Sequence, residues 1–471
     1  MRTVGSTDLQ QPSAGMADTA ESQKVVIVGG GLVGSLAACM FSQRGYRVDL
    51  FEYRNDPRLS AVSQGRSINL AMSRRARAAL GLVGLEGELL RHGIAMKARM
   101  IHDLEGGTRE IPYDARTNQC IYSVGRKFLN DVLLSAAEKR SNVRLLFGHK
   151  MTGGSLDEGR VEFERTEGGT GGPKAKVKAV EAVGDLVVGC DGAFSSLRRL
   201  FMKKPMFNFS QTYIEHGYME LRIPPTADGE FAMPPNFLHI WPRGEFMMIA
   251  LPNQDRSWTV TLFMPFAQFE AITTEAELLA FFGQHFADAV PLLGEDALVG
   301  DFFRSKPQPL VSVKCRPYHA GRALLLGDAA HAMVPFYGQG MNAGFEDVRL
   351  LSGLLDGLGG SPAGLADVLR RFSEHRNADA EAICDLAMYN YVEMRDLVNR
   401  PSFLLRKALD NALYAVLPDV WVPLYNSVTF SDMRYSECVR NRVWQDQVIR
   451  GVLVALLACA ALLGLVAFVK A

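Results

Sequence analysis

The sequence predicts an α/β fold: a Rossmann-like domain interrupted by an antiparallel sheet, then helices and a terminal helix that crosses a membrane. Three observations lead to this prediction. An apolar strand runs directly into clustered glycines after residue 24, short apolar runs broken by prolines fill much of 205–319, and the last apolar run is long enough to span a bilayer. A chain of 471 residues has room for two or three such domains.

We expect the domains to follow one another as a disordered segment 1–22, a nucleotide-binding domain 24–204 with a return at 320–345, an inserted substrate domain 205–319, a helical region 346–445 and a membrane anchor 449–470. Residues 1–22 are polar and almost without basic residues, which predicts neither a signal peptide nor a mitochondrial transit peptide. Met16 is an alternative start.

The composition argues against two kinds of partner. A formal net charge of zero leaves no basic field for nucleic acid. The seven cysteines are scattered, with neither a CxxC pair nor neighbouring histidine pairs, which argues against a structural zinc and predicts reduced thiols. We therefore expect neither a nucleic-acid partner nor a bound metal.

The first motif in the chain is a dinucleotide fingerprint. Val25–Val28 predict a buried parallel strand, and Gly29-x-Gly31-x-x-Gly34 follows at once. Gly29 permits a tight turn, and Gly31 lets a pyrophosphate approach the backbone. Gly34 lets strand and helix pack closely, so the helix that starts at Leu32-Val33 directs its N-terminus at the phosphate.

An acid and two further turns extend this site. Glu52 ends a second strand about 20 residues beyond the glycines, where an acid accepts hydrogen bonds from a ribose hydroxyl. Close-approach turns recur at 189–198 and at 327–344. An NAD enzyme needs one fingerprint, whereas three separated turns predict an extended FAD. We expect Asp328 at the ribityl or pyrophosphate region, and backbone N–H groups at the flavin's N1–O2 edge from three residues: Gly340, Met341 and Asn342.

The remaining segments supply sheet, loop and helix. Apolar runs at Gly217–Ile223, Phe237–Trp241, Phe246–Leu251 and Trp258–Met264 predict an antiparallel sheet, with a helix over 274–286. Residues 67–92 carry a helical pattern with Arg74, Arg75 and Arg77 on the solvent side. Residues 152–184, with Gly-Gly-Thr-Gly-Gly at 168–172, predict an exposed hairpin or loop.

The C-terminus predicts a membrane anchor. Gly451–Val469 is an uninterrupted apolar run of 19 residues, flanked by Arg450 and Lys470. At ~1.5 Å per residue it spans a hydrocarbon core of ~30 Å. A buried core helix is the alternative, but such helices usually keep a polar face and this one has none. We expect a tail-anchored protein with its bulk on the cytosolic side.

Three of these segments resemble the signatures of the single-component (group A) aromatic flavoprotein monooxygenases. They are the glycine fingerprint, Asp191-Gly-Ala-Phe-Ser-Ser-Leu-Arg198 and Gly327-Asp328. The resemblance implies a fold like that of p-hydroxybenzoate hydroxylase. Five further segments are similar to the kynurenine 3-monooxygenase family: Gly65–Leu70, Lys97–His102, Tyr218–Leu221, Leu238–Pro242 and Met388–Arg395.

This resemblance implies an activity. NADPH reduces the FAD, O2 gives a C4a-hydroperoxyflavin, and the aminophenyl ring of L-kynurenine attacks its distal oxygen. The product is 3-hydroxy-L-kynurenine, in tryptophan catabolism toward quinolinate and NAD. The resemblance also implies the mitochondrial outer membrane.

The resemblance implies site residues as well. Arg99 and Tyr113 are expected to bind the substrate carboxylate, with Asn390 and Tyr425 at its amino-acid end. An arginine fork and a tyrosine hydroxyl suit a carboxylate. The remaining expected contacts lie at the cofactor: Arg126 with FAD, Asp191 with FAD and NADPH, Pro335 and Gln339 over the reactive edge of the flavin, and Gln339 orienting the peroxide.

Two other functions stay open on the sequence alone. One is a membrane-tethered FAD-dependent reductase, or a hydroxylase of another aromatic or isoprenoid substrate, which would have no use for Arg99 with Tyr113. The other is a membrane-tethered flavoprotein scaffold without catalytic activity, which would bind partners through residues 400–445.

Overall fold

The computed structural model describes residues 23–59, 69–167, 176–357 and 362–470. Three expectations fall outside these ranges. They are the disordered segment 1–22 with Met16, residues 65–68 of one family segment, and the glycine-rich run 168–172.

The strands of the described ranges, in chain order, are β1 Lys24–Val28, β2 Arg47–Phe51, β3 Leu70–Met72, β4 Ile94–Met96, β5 Ala98–His102, β6 Thr108–Pro112, β7 Ile121–Val124, β8 Val143–Leu146, β9 His149–Ser155, β10 Arg160–Glu167, β11 Lys176–Val183, β12 Leu186–Gly189, β13 Asn208–Ile223, β14 Phe237–Arg243, β15 Phe246–Pro252, β16 Trp258–Pro265, β17 Gln308–Arg316, β18 His319–Ala320 and β19 Ala323–Leu325.

The helices are α1 Leu32–Gln43, α2 Arg74–Leu82, α3 Glu86–His92, α4 Arg126–Glu138, α5 Ser196–Phe201, α6 Phe266–Ala271, α7 Glu275–His285, α8 Val290–Leu293, α9 Glu295–Arg304, α10 Asp328–His331, α11 Gly340–Leu355, α12 Pro362–Arg395, α13 Pro401–Val416, α14 Leu424–Phe430 and α15 Tyr435–Lys470. Short 3-10 turns occupy Pro57–Leu59, Pro335–Tyr337 and Leu397–Asn399.

A largely parallel sheet carries the glycine fingerprint. Its strand order is β18-β19-β12-β1-β2-β8, and every neighbouring pair is parallel except β18 with β19. The central strand β1 is buried from Val25 to Val28, as a strand covered on both faces must be. Because β12 and β19 come from distant parts of the chain, the polypeptide leaves this sheet and returns to it.

A second, larger sheet lies over the first one's carboxyl edge and is mainly antiparallel. Its order is β17-β13-β16-β15-β14-β5-β6. Successive residues alternate between its faces, as the period of a strand requires. Tyr218 and Phe263 pack with the 3-10 turn Pro335–Tyr337, whereas Met219 and Leu262 pack against the helical layer α6–α9.

The hairpin β5–β6 joins this second sheet from the first part of the chain. Strand β5 lies parallel to β14, with Arg99 opposite Leu238, and antiparallel to β6. The domain prediction placed this stretch within 24–204 and gave it no role in the inserted sheet. No local pattern encodes such a pairing, because the parallel partner of β5 lies more than a hundred residues away.

Residues 70–92 are only partly helical, although the sequence carries a helical pattern over 67–92. The segment forms β3, α2 and α3. Arg75, expected on the solvent side, is fully buried, so that expectation is wrong. Its guanidinium forms an ion pair with Glu346 and donates to the carbonyl of Val428 over 2.8 Å. These partners come from α11 and α14, and they replace the water that a surface arginine would need.

The C-terminal helix α15 is continuous from the folded body of the protein into the apolar run. It spans 36 residues, and its most apolar window has a mean hydropathy of 3.0 with none of it buried in the protein. By length and composition it can cross a membrane. This finding agrees with the anchor expected from the sequence.

Candidate active site

A cavity of about 1510 Å³ opens between the carboxyl ends of β1, β12 and β19 and the inner face of the second sheet. That volume exceeds a pocket for one small ligand and leaves room for a second molecule beside a dinucleotide. Most residues predicted for cofactor and substrate line it: Gly29, Gly31, Leu32, Val33, Glu52, Arg99, Arg126, Asp191, Asp328, Pro335, Gly340, Met341 and Tyr425. The other five predicted residues stand behind this lining: Gly34, Tyr113, Gln339, Asn342 and Asn390.

The glycine end has the close contacts that a dinucleotide site needs. A Cβ at Gly29 would lie 2.4 Å from the carbonyl oxygen of Cys190, and one at Gly34 would lie 1.9 Å from that of Gly29. A Cβ at Gly31 would meet no protein atom within 4 Å, because that position faces the cavity. The N-terminus of α1 therefore stands bare toward the space where a pyrophosphate would sit.

Glu52 is held in place by the glycine turn. Its Oε2 accepts from the backbone N–H of Gly30 over 2.7 Å, and its Oε1 accepts from the backbone N–H and Nε of Arg54 over 2.9 and 2.8 Å. The carboxylate still lines the cavity. This geometry fits an acid that accepts from a ribose hydroxyl.

Asp191 caps a helix and also faces the cavity. Its Oδ2 accepts from the backbone N–H groups of Ser196 and Leu197 over 2.6 and 3.1 Å. Its Oδ1 is buried without a partner, and burial raises the pKa of the carboxyl. Arg198, at the other end of the motif, donates to the carbonyl of Ala329 over 2.7 Å. That bond joins the second signature to the third.

The third signature forms the loop on which a flat ring would lie. Gly327 and Gly338 have φ values of 59° and 64°, which only glycine adopts without strain. Asp328 is exposed to the cavity at the start of α10. Gly340 and Met341 open α11, where backbone N–H groups have no acceptor within the helix. These groups fit the negative edge of a reduced flavin.

Two predicted residues of this loop have side chains that bind other parts of the protein. The side chain of Asn342 donates to the carbonyls of Ala71 and Gly338, over 2.8 and 2.6 Å, and accepts from the N–H of Ser73. Gln339 is buried, and its Oε1 accepts from the hydroxyl of Tyr435 over 3.0 Å. The hydroxyl of Tyr435 thus engages the oxygen of the Gln339 amide, and the contact of Gln339 with a peroxide stays a prediction.

The predicted substrate residues Arg99 and Tyr113 lie on one hairpin. Arg99 belongs to β5, and Tyr113 follows β6, where its N–H donates to the carbonyl of Lys97 over 3.1 Å. The Tyr113 ring stacks on Tyr425 with centroids 5.1 Å apart. Its hydroxyl is buried without a protein partner, and burial raises the pKa well above the ordinary value. A protonated phenol with a free hydrogen suits a carboxylate ligand.

Arg99 is buried and binds two residues of α12. Its Nη1 donates to Glu393 over 2.7 Å, and its Nη2 lies 3.4 Å from the Oδ1 of Asn390. Although burial opposes it, the charge of Glu393 keeps the pKa of Arg99 above its ordinary value. Asn390 in turn donates to the carbonyl of Phe336 over 2.7 Å. It thus connects the arginine with the loop beneath the ring.

Glu393 is the site residue that sequence analysis missed. It stands three residues after Asn390, so both side chains lie on one face of α12. That spacing was visible in the segment Met388–Arg395. A lone glutamate on a long helix is usually a solvated charge, and only the fold shows Arg99 opposite it.

A buried polar chain lies on the reverse face of β5. His102 contacts Asp288 through Nδ1 over 2.7 Å and His239 through Nε2 over 2.8 Å, and His239 Nε2 contacts the carbonyl of Pro234 over 2.9 Å. The carbonyl accepts only, so His239 donates there and accepts at Nδ1. His102 then donates from Nε2 to His239, and its Nδ1 contacts Asp288.

A second buried network joins helix α11, which follows the third signature, to α15. Arg376 donates to Asp347 over 2.7 Å and to Glu346 over 2.8 Å, and Glu346 also binds Arg75. The guanidinium carbon of Arg75 lies 3.9 Å from the centroid of the Tyr435 ring. The first residue of α15 is therefore packed into the same network as α11.

Comparison with protein families agrees with this geometry. Residues 22–387 match the family model described as FAD binding domain. The chain is 61% identical over 431 residues to a kynurenine 3-monooxygenase of Anopheles gambiae, covering 91% of this chain and 86% of the relative. It is 46% identical over 448 residues to a kynurenine 3-monooxygenase of Sus scrofa, covering 93% and 92%.

Solved structures agree in fold. A 2-methyl-3-hydroxypyridine-5-carboxylic acid oxygenase superposes with a TM-score of 0.62 at 18% identity, covering 85% of this chain and 99% of that one. A p-nitrophenol 4-monooxygenase from Pseudomonas putida gives 0.63 at 19% identity, covering 88% and 98%. At such identities the likeness concerns the fold alone.

Proposed function

Because the chain belongs to the kynurenine 3-monooxygenase family of FAD-dependent enzymes, we propose that it converts L-kynurenine to 3-hydroxy-L-kynurenine. NADPH supplies two electrons and O2 supplies the oxygen atom. One atom of O2 enters the ring, the other leaves as water after a proton is taken up from solution, and NADPH leaves as NADP+. The reaction belongs to tryptophan catabolism.

One observation in the structure carries this proposal. A buried arginine, Arg99, and a carboxylate, Glu393, meet at one end of the cavity, and Asn390 joins them to the loop under the cofactor site. An α-amino acid carries an anion and a cation on one carbon, and this pair is complementary to both. A substrate without an amino-acid headgroup would make no ionic contact with Arg99 or Glu393, and these two side chains would remain paired with each other.

The cofactor residues fit FAD in its extended form. Glu52 would hold the adenosine ribose, the Gly29–Gly34 turn the pyrophosphate, and Asp328 the ribityl chain. The first N–H groups of α11 would meet the N1–O2 edge of the ring. When bound, FAD supplies the acceptance of hydride from NADPH and the activation of O2.

The side chains of the substrate end bind and orient the amino acid. Arg99 offers its fork to the carboxylate, which the Tyr113 hydroxyl also reaches, and Glu393 accepts from the ammonium group. The aminophenyl ring then meets the apolar side chains that the second sheet turns inward: Leu238, Ile249 and Phe263. This lining excludes water from the ring carbon that receives oxygen, and it favours hydroxylation over loss of the activated oxygen as peroxide.

Membrane attachment is part of the proposal. The helix α15 fits a membrane span, and Arg450 and Lys470 flank its apolar run. The family resemblance favours the mitochondrial outer membrane. We propose that the catalytic body faces the cytosol.

The test is turnover by the full chain in detergent or nanodiscs. Purified protein is expected to show flavin absorbance, to consume NADPH faster when L-kynurenine is added, and to form a product one oxygen atom heavier. Flavin absorbance without stimulation by kynurenine contradicts the substrate assignment. Stimulated NADPH consumption with peroxide as the only product contradicts the hydroxylation.

A reductase or a hydroxylase of an isoprenoid substrate is the second candidate. It would share the glycine turn, the Gly327-Asp328 loop and the tail. The named relatives do not favour it, and its substrate would have no group that binds the buried Arg99–Glu393 pair. Arg99→Ala with unchanged activity would speak for it.

A further inference from the structure

Helix α13 turns an uncharged face to solvent. From Leu405 onward its exposed positions recur every three or four residues, so they form one stripe, and all of them are apolar: Leu405, Ala408, Leu409, Ala412, Ala415 and Val416. Leu405 and Val416 are 74% and 77% exposed. A stripe of this kind on a helix in water would normally face the core.

The charged residues of α13 face the protein. Asp410 is buried and accepts from Arg406 over 2.9 Å, from Arg442 over 3.2 Å and from the indole N–H of Trp421 over 2.9 Å. Arg406 also binds Asp446 of α15 over 2.5 Å. The amphipathic pattern of the helix is thus the reverse of that on a water-exposed surface.

The stripe stands beside the place where α15 becomes wholly apolar. Asp446, the partner of Arg406, precedes Gly451 by five residues, or about 8 Å along the helix. Exposed apolar side chains continue from α13 onto the neighbouring residues: Leu417, Val420, Val443, Trp444 and Val448. Together they extend the lipid-compatible surface of 451–469 sideways onto the catalytic body.

We propose that the outward face of α13 docks on the bilayer that α15 enters, as a helix lying in the interface. The inference rests on the membrane attachment proposed above. Interfacial helices sit ~5–10 Å into the boundary of headgroups and acyl chains. Arg406 of α13 binds Asp446, which lies about 8 Å along α15 from the start of the apolar run, and this distance is within that depth. A bilayer is favoured over a second copy of the chain because the stripe is continuous with the span.

The inner face of α13 reaches the substrate end of the cavity. Phe403 packs in the cluster that holds Tyr391 and Met394. Lys407 lies near the charges of Arg99 and Glu393. The pKa of Lys407 is lowered to about 8, first by burial and second by the positive charge of Arg99. The docked helix would stand between the lipid surface and the amino-acid end of the site.

The experiment uses the full FAD-loaded chain in phospholipid vesicles that carry nitroxides at two depths, near the glycerol end and near the terminus of the acyl chain. An environment-sensitive fluorophore is attached at native Cys459 within the span, with Cys120→Ser as background. In the same background with Cys459→Ser, it is attached instead at Leu409→Cys or, one turn earlier, at Leu405→Cys. The matched control is Val183→Cys on β11, which is 48% exposed against 39% for Leu409.

Quenching at Cys459, Leu409→Cys and Leu405→Cys, with none at Val183→Cys, is the expected result. If Cys459 is quenched while the α13 labels behave like the control, the docking is wrong and the anchor stands. If Cys459 is not quenched either, the proposed membrane attachment itself is wrong. If the emission of the α13 labels changes only at a high ratio of protein to lipid, the face binds a second copy of the chain, and this result also overturns the proposal.

Discussion

The guanidinium of Arg99 and the carboxylate of Glu393 lie 2.7 Å apart, although 294 residues separate them in the chain. Both side chains are largely withdrawn from water, with exposures of 5% and 15%. Removing either one leaves the other as an unpaired buried charge. The pair therefore links the strand to the helix, and under the proposed function it exchanges its internal contact for an amino-acid ligand.

We expect Arg99→Lys to weaken the use of kynurenine far more than the binding of FAD. Lysine keeps the charge but loses the planar fork that reaches Glu393 and a carboxylate together. The expected fall in kcat/KM is on the order of 100-fold, or about 3 kcal/mol, carried mainly by KM. Steady-state kinetics with flavin content measured in parallel provide the check. Arg222→Lys, in an exposed pair with Asp255, is the control; equal effects in the two variants would contradict the assignment.

Tyr113→Phe is expected to raise the KM for kynurenine without lowering stability. The buried hydroxyl has no partner in the protein, so its removal costs no internal hydrogen bond. Tyr391→Phe is a matched control, because its hydroxyl is also buried without a partner, yet its ring stacks on Phe336, whereas the ring of Tyr113 stacks on Tyr425 at the substrate end. Kinetics and thermal unfolding of both variants decide. A lower Tm with unchanged KM for Tyr113→Phe would mean that the hydroxyl has a structural role.

Asp288→Asn is expected to be tolerated where Asp288→Ala is not. Asparagine can accept from Trp241 and donate to Nδ1 of His102, while Nε2 of His102 still donates to His239. Alanine leaves His102 and the Trp241 indole unpaired, at a cost of about 3 kcal/mol.

The alanine variant is also expected to raise the KM for kynurenine, since β5 carries Arg99 on its other face. Denaturant unfolding and kinetics test both substitutions, with Asp255→Asn and Asp255→Ala on the exposed surface as controls. Equal damage from Asp288→Asn and Asp288→Ala would show that the ionic charge, and not the hydrogen bonding, is what the site requires.

Stability is expected to fall as the pH drops from about 6.5 toward 4. Burial lowers the pKa of His239 from 6.5 to about 4, so between these values the unfolded chain binds a proton that the folded protein refuses. The lost stability amounts to about 3 kcal/mol. In His239→Gln the difference in unfolding free energy between pH 7 and pH 5 should shrink. Replacing the exposed His92 by Gln should leave this difference in unfolding free energy unchanged. If the difference is the same in His239→Gln as in the wild type, another group causes the pH dependence.

The start of α15 is expected to matter more than its apolar end. Ending the chain after Arg450 keeps Tyr435 in its network with Arg75 and Gln339, so FAD retention and turnover in detergent should persist. Ending it after Arg434 removes Tyr435, and FAD should then be lost on gel filtration. Tyr435→Phe keeps the ring and removes the hydroxyl, so it tests the two contributions separately. If both truncations lose FAD alike, the apolar run itself supports the fold.

Several elements were predictable because their signals are local. Val25–Val28 with Gly29-x-Gly31-x-x-Gly34 encodes a strand, a turn and a helix within a few residues, and the structure forms them. The strands of 217–264 follow from short apolar runs with turn residues between them. Signals from distant partners were not readable in this way. The burial of Arg75 depends on Glu346 and on carbonyls of α14 and its following loop, and nothing near Arg75 in the sequence indicates it.

The sequence by itself determined the class of ligand and the location of the apolar tail. Backbone turns that admit a dinucleotide require glycine at set spacings, and a membrane span requires an unbroken apolar run. The tertiary structure decided which side chains meet at the substrate end. It brought β5 beside β14 and α12 across from both, which placed Glu393 on Arg99 and turned Gln339 toward α15. The physical reason is that desolvated charges and amides need partners, and only the folded chain determines which partner lies within reach.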